Sequence, residues 1–237
     1  MNATLQEVLG HATGRTTRHD PTLPRTGGPA GNAQLTARMG LLLLGLFLAE
    51  LLTLVSVRQL VSWHIAIGVL LIPPALAKTA STGWRMVRYY AGSDHYRQAG
   101  PPPLPLRLLG PLVVLSTLAV LATGTTLAVI GQDATFRPLV TVAGHSVTWL
   151  TVHQASFAVW ATATGLHVLA RLIPSLHLTR SSREAAQPGS FLRAVALVTT
   201  VAVAAVLAWG VLGLSGSWTS TRFGPESGRS HEGLARP

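Results

Sequence analysis

The chain has 237 residues, of which 18 are Lys or Arg and 8 are Asp or Glu, so only 11% are charged against 48% hydrophobic. An ordinary soluble domain carries about 25% charged residues, and here the apolar residues lie in long blocks, which excludes a soluble single domain. There is no cysteine, which excludes disulfides, thiolate-held zinc or iron–sulfur clusters, thiol catalysis and covalent haem attachment through a C-x-x-C-H motif.

Residues 1–37 are polar and rich in Gly, Pro, Thr and Arg and read as a mobile, disordered tail. The stretch is too long and polar for the front of a cleaved signal peptide, and no small-residue cleavage site follows, so the first apolar segment is expected to be retained. A bilayer core about 30 Å thick needs roughly 20 mostly apolar residues in helix. Five segments meet that need: about 39–58, 60–79, 107–130, 147–173 and 191–214. Helix is the economical structure for them, because lipid offers no partner to an unpaired backbone amide. The first segment is interrupted only by Glu50, and the second holds His64 and the pair Pro73-Pro74. A proline pair removes two hydrogen-bond donors, so a kink is expected one turn earlier. The gap around Val57-Arg58-Gln59 is so short that the first two segments must form a tight hairpin.

Between the second and third segments, Trp84, Tyr89 and Tyr90 with Arg85 and Arg88 have the composition of an interfacial anchoring helix. Pro101–Pro103 makes a stiff connection into the third segment. Residues 215–237 form a second short tail outside the membrane domain, which spans 38–214. The expected fold is thus an all-α membrane protein with five transmembrane helices.

Lys and Arg divide unequally between the two sides. The amino tail and the loops after the second and fourth segments hold 13, and the opposite side holds 5. This imbalance places the amino terminus in the cytoplasm and the carboxyl terminus outside the plasma membrane. It also accounts for the net charge of +10 through topology and anionic headgroups, with membrane lipid as the partner and no nucleic acid.

Of nine histidines, His64, His153 and His167 lie within apolar segments, where an ionisable group is costly and marks a candidate site. His145 reads as an exposed interfacial residue. His153 and His167 are 14 residues apart, nearly four helical turns and roughly 21 Å of rise, so both project from one face near opposite leaflets. The second and fourth segments run in the same direction, and His64 and His153 lie at similar depth. Fourteen residues after His64 stands Lys78, matched in depth to His167. Two imidazoles facing one another across parallel helices suit a six-coordinate haem b, with axial histidines and no open position for oxygen. Gly68, one turn below His64, and similarly Gly124 and Gly165, offer room for the macrocycle edge, and Arg58 lies where it can pair with propionates. His167 would ligate a second iron with Lys78 or nothing opposite, or sit at the inner interface beside Arg171. Lys78 is expected to snorkel its amine to the headgroups. Glu50 is open to a proton-transfer or quinone-site role, to a neutral form, or to pairing with Arg58 or a histidine of the adjacent helix.

The motifs W-H-I-A-I-G on the second segment and V-H-Q-A-S-F-A-V-W-x6-H on the fourth resemble the membrane cytochrome b families. These include bacterial cytochrome b561, formate dehydrogenase gamma-type subunits and ferric-reductase-like membrane domains. The resemblance covers roughly residues 60–172, and the stretch T-G-W-R-M-V-R-Y-Y-A-G-S-D-H-Y-R-Q-A-G-P-P-P is also similar to a group of actinobacterial membrane proteins of this kind. It implies a four-helix bundle plus one extra helix, haem b held by histidines of neighbouring helices, and electron transfer between a redox partner protein or quinone and an acceptor. Lys78 departs from the pattern, standing where a fourth histidine would complete an inner pair. On this reading the chain is an electron-transfer subunit whose catalytic partner is a separate chain, since no flavin, nicotinamide or molybdenum domain is recognisable. The alternatives are a haem-free membrane anchor or scaffold with the same bundle and, from another class, a small permease.

Overall fold

The computed structural model describes residues 3–16, 19–184 and 188–213. Ten elements follow in order: α1 (Ala3–Ala12), α2 (Gly28–Thr53), a single 3₁₀ turn (Leu54–Ser56), α3 (Val57–Tyr90), α4 (Asp94–Gln98), α5 (Leu104–Thr135), β1 (Pro138–Val142), β2 (His145–Thr148), α6 (Trp149–Glu184) and α7 (Ser190–Leu212). Four helical stretches are long and apolar enough to cross a membrane: 28–90, 104–135, 149–180 and 190–212.

The first of these stretches is broken rather than straight. Ser56 leaves helical geometry at φ −146° and ψ 63°, and Leu60 at φ −105° and ψ 16°. The chain folds back there, so that Glu50 meets His64, Leu43 packs with Leu71 and Ala75, and Asn32 and Thr36 both bond Ser81. Falling numbers on α2 against rising numbers on α3 define an antiparallel hairpin. The backbone departs from helix at Leu60, with no such departure ahead of Pro73-Pro74.

Four helices close a ring: α2 on α3, α3 on α5, α5 on α6, and α6 back on α2. Helix α7 lies outside it, chiefly along α3, and α1 packs on α6. Small residues carry the close approaches: Ala37, Ala66, Ala75, Ala163, Ala170 and Ala204 are all buried, as packing between helices in lipid requires. Large apolar side chains point the other way. Val55, Leu169, Phe191, Val206 and Trp209 are each more than 70% exposed, an arrangement that suits acyl chains and would be costly in water.

Several boundaries differ from those read in the sequence. Helix α2 begins at Gly28, ten residues before the expected membrane domain, and residues 3–12 of the expected tail are helical. Arg193 explains the early start of α2. Its Nη1 donates to the carbonyls of Thr26 at 3.2 Å and Pro188 at 2.8 Å, tying the beginnings of α2 and α7 together. The aromatic segment around Trp84 is the continuation of α3 rather than a separate helix. Helix geometry in α5 is interrupted at Gly131 (φ 76°, ψ 177°), next to the expected end at 130. The fold is also not wholly helical. β1 and β2 pair antiparallel around Ala143 and Gly144, both at positive φ, the conformation that a tight hairpin turn of matching twist requires. The tail expected at 215–237 lies outside the described residues.

Candidate functional site

His64, from α3, and His153, from α6, sit on diagonally opposite helices of the ring and point into it. Their ring centroids are 6.5 Å apart, with planes at 80°. Each ring is fixed through Nδ1. His64 Nδ1 is 2.9 Å from Thr53 Oγ1 and 3.0 Å from Glu50 Oε1, while His153 Nδ1 is 2.9 Å from Thr123 Oγ1. Thr53 in turn donates to the Glu50 carbonyl at 2.5 Å, and Thr123 donates to Ala119 or Val120. Four helices therefore contribute to one polar layer: Glu50 and Thr53 from α2, His64 from α3, Thr123 from α5 and His153 from α6.

A histidine held at Nδ1 keeps Nε2 for another partner, and the bond at one nitrogen fixes the tautomer and orientation presented by the other. In both rings the contacts to threonine hydroxyls run through Nδ1, and His153 also bonds the Val120 backbone.

The three glycines serve differently from one another. A Cβ at Gly124 would lie 3.1 Å from His153 Cε1, so this glycine lets the imidazole lie against α5. Gly68 faces Glu50, whose Oε1 would be 3.5 Å from a Cβ there. Gly165 is exposed with open space around it and takes no part in the layer. Arg58, at the start of α3, is exposed and forms no ion pair among the described residues.

Beneath this layer the packing is mostly apolar. Leu43, Leu71 and Ala75 pack with Leu46, Phe47 and Leu121, and Trp160 meets Phe47 edge-on at 4.7 Å and Phe157 at 5.8 Å. Trp160 lies seven residues from each of His153 and His167, two turns either way on the same face. Its Nε1 and Thr164 Oγ1 are buried without a hydrogen-bond partner.

His167 belongs to a second polar layer, roughly 21 Å along the helix axis from the first. It is half-buried and interacts electrostatically with Lys78 and Arg171. The Lys78 amine lies against α2. Its Nζ would lie 3.2 Å from a Cβ at Gly40 of α2, and its charge is felt together with that of Arg171 from α6. The depth match of Lys78 with His167 is legible in the sequence, but Gly40, whose lack of a side chain leaves room for the amine, is not. The sequence also leaves open the pairing of Glu50, which the antiparallel register of α2 and α3 settles.

His145 stands at the start of β2 opposite Val142 and is exposed, away from both layers. Groups of three or more His, Asp or Glu side chains able to hold a bare metal ion are absent among the described residues. The chain matches no family model, no curated protein and no solved structure.

Proposed function

We propose that the protein is a b-type cytochrome-like integral membrane electron-transfer protein that takes one haem b between His64 and His153. The supporting observation is the separation of the two rings. Two imidazoles sharing one metal ion, each nitrogen about 2 Å from it, would have ring centres no more than roughly 6 Å apart. The observed 6.5 Å is of that size. The donor chemistry agrees, because both rings are anchored at Nδ1 by hydroxyls and keep Nε2 for a ligand.

Bound there, haem b would be held by His64 and His153 and would supply a one-electron iron couple. The chain's own part is to hold and tune. Thr53 and Thr123 fix the ring orientations, Glu50 adds a carboxylate behind His64, and the apolar packing around Trp160 closes the layer on one side. Carboxylate or hydroxyl partners behind metal-binding imidazoles raise ligand basicity, which favours the ferric state. Arg58, exposed near the start of α3, is available to propionates. His167 takes no ligand role in this reading, since Lys78 and Arg171 rather than an imidazole face it. In such a protein α2 and α3 are separate crossings, five in all, with the amino terminus cytoplasmic and the carboxyl terminus outside. The electron donor or acceptor is then a redox partner protein or a quinone.

One observation favours a second reading, a haem-free membrane anchor. The His64–His153 layer already satisfies both Nδ1 atoms, and the rings meet edge-to-face, a contact that stabilises a bundle by itself. A pyridine haemochrome assay on protein purified from haem-replete cells separates the two. The expected result is one haem b per chain, with a reducible Soret band lost in both His64→Ala and His153→Ala. A colourless wild-type preparation would establish the anchor instead.

A further inference from the structure

The β1–β2 hairpin is built with one apolar face, and that face is open. Its register pairs Val140 with Val147 and Val142 with His145, and between them Thr141 with Ser146. Side chains alternate across a strand. Val140, Val142, Val147 and His145 therefore share one face, and Thr141 and Ser146 share the other. Apolar on one side and polar on the other is the pattern of an antiparallel pair whose first side is packed. Here Val140 is 53% exposed and Val142 57%. A two-stranded hairpin by itself is marginal in water, and bare valines add to the cost. The face calls for cover.

The place of the hairpin in the chain supplies that cover. It joins α5 to α6, two of the helices long and apolar enough to cross a membrane. Only Phe136 and Arg137 separate it from α5, and Trp149 begins α6 directly after Thr148. The second junction is locked, because the Thr148 amide donates to Thr151 Oγ1 at 3.3 Å and the Thr151 amide to Thr148 Oγ1 at 3.2 Å. Trp149 stands one turn, about 6 Å, before His153, so the hairpin is held at the bilayer surface nearest the histidine pair. Phe136, which is exposed, and Trp149 flank it as aromatic residues do at a membrane boundary. Exposed Arg137 at its root suits headgroup phosphates. Edge strands that face water are commonly guarded by charge, yet residues 138–148 contain no Asp, Glu, Lys or Arg. Pairing of β1 edges with a second copy would extend the sheet but leave the valines bare.

We infer that the 138–148 hairpin is a lipid-binding element that lies on the leaflet at the His64–His153 end of the bundle. Val140, Val142 and Val147 enter the boundary between headgroups and acyl chains, and Thr141 and Ser146 face water. The inference shares no residue with the haem reading and needs only that α5 and α6 cross a bilayer.

Because the chain has no cysteine, single cysteines carrying an environment-sensitive nitrobenzoxadiazole probe test this in the full-length protein. Val140→Cys and Val142→Cys sample one face of the hairpin, and Thr141→Cys and Ser146→Cys the other. The labelled chains are placed in nanodiscs of phosphatidylcholine and phosphatidylglycerol, where both membrane surfaces are open to buffer. Quenching by lipid spin-labelled near the top of the acyl chain is compared with quenching by aqueous iodide. Probes at 140 and 142 are expected to emit at shorter wavelength and to be quenched mainly by the spin-labelled lipid. Probes at 141 and 146 should be quenched mainly by iodide. If iodide quenches 140 and 142 as strongly as 146, the valine face is in water and the proposal is overturned. If neither quencher reaches them, a second copy or another protein covers the face, which overturns it equally. Amide exchange of residues 138–148 in the same nanodiscs gives a reading without a probe. The Val140→Ser/Val142→Ser double variant should exchange faster than wild type and Thr141→Ser at the wild-type rate; equal exchange in all three would also overturn the proposal.

Discussion

Glu50 Oε1 on α2 lies 3.0 Å from His64 Nδ1 on α3, three residues from the Thr53 hydroxyl that meets the same nitrogen at 2.9 Å. Of the roles open to a carboxylate in the first apolar segment, this is the partnership with a histidine of the adjacent helix. It makes the α2–α3 hairpin the foundation of the His64 layer.

Removing the carboxylate should therefore loosen that layer. Glu50→Ala leaves His64 with Thr53 alone and is expected to cost about 1–3 kcal/mol, the usual penalty when one partner of a buried hydrogen bond is deleted. Glu50→Gln keeps an acceptor at the same reach and should cost less than Glu50→Ala. Thermal or denaturant unfolding in one detergent ranks the two. Equal stability of Glu50→Ala and wild type would mean that the contact carries no weight.

Gly124 is where α5 yields to the His153 ring. Gly124→Ala puts a methyl 3.1 Å from Cε1, tight enough to push the ring by a few tenths of an ångström, and Gly124→Val displaces it outright. Haem occupancy, read as the Soret-to-280 nm ratio, is expected to fall modestly in the first and severely in the second. Gly165→Ala, facing open space, should leave the ratio unchanged.

The Arg193 staple predicts a strong contrast between two glycines of the same helix. A Cβ at Gly31 would stand 2.6 Å from Arg193 Nη1 and 2.8 Å from the Thr26 carbonyl, whereas Gly45 has nothing within 4 Å. Gly31→Ala should destabilise by about 1–3 kcal/mol through overpacking. Gly45→Ala should be neutral or stabilise by up to about 1 kcal/mol from helix propensity. Unfolding midpoints in detergent measure both.

A chain without cysteine lends itself to topology mapping with single introduced thiols. With α2 and α3 as separate crossings, Gln59→Cys and Arg137→Cys react with a membrane-impermeant maleimide in intact cells, and Ser93→Cys reacts only after lysis. If residues 28–90 crossed as one unbroken helix, Gln59→Cys would be shielded by lipid and Ser93→Cys would label from outside.

The helices were legible because lipid leaves an apolar run few alternatives to helix, and the turn at Val57-Arg58-Gln59 followed from the shortness of the gap. The facing of His64 and His153 was legible for the same reason, since parallel helices of fixed rise bring residues of equal depth together. What escaped lies where hydropathy carries no information. The start of α2 at Gly28 is polar and is held by an arginine more than 160 residues away in sequence. The exposed hairpin did carry a local signal, with β-branched residues flanking Ala143-Gly144, but eleven residues between two long apolar helices do not compete with them in a window scan. The seat of the Lys78 amine against Gly40 is a pairing that exists only once α2 and α3 are packed.

The placement of the two polar layers has a consequence for the direction of traffic. If haem b binds at the His64–His153 level and Lys78 keeps a second haem from the His167 level, the bundle has no stepping stone between leaflets. Such a molecule would receive and return its electron on one face of the membrane, acting as a relay along the surface instead of a wire through it, and it would generate no transmembrane voltage by electron movement alone.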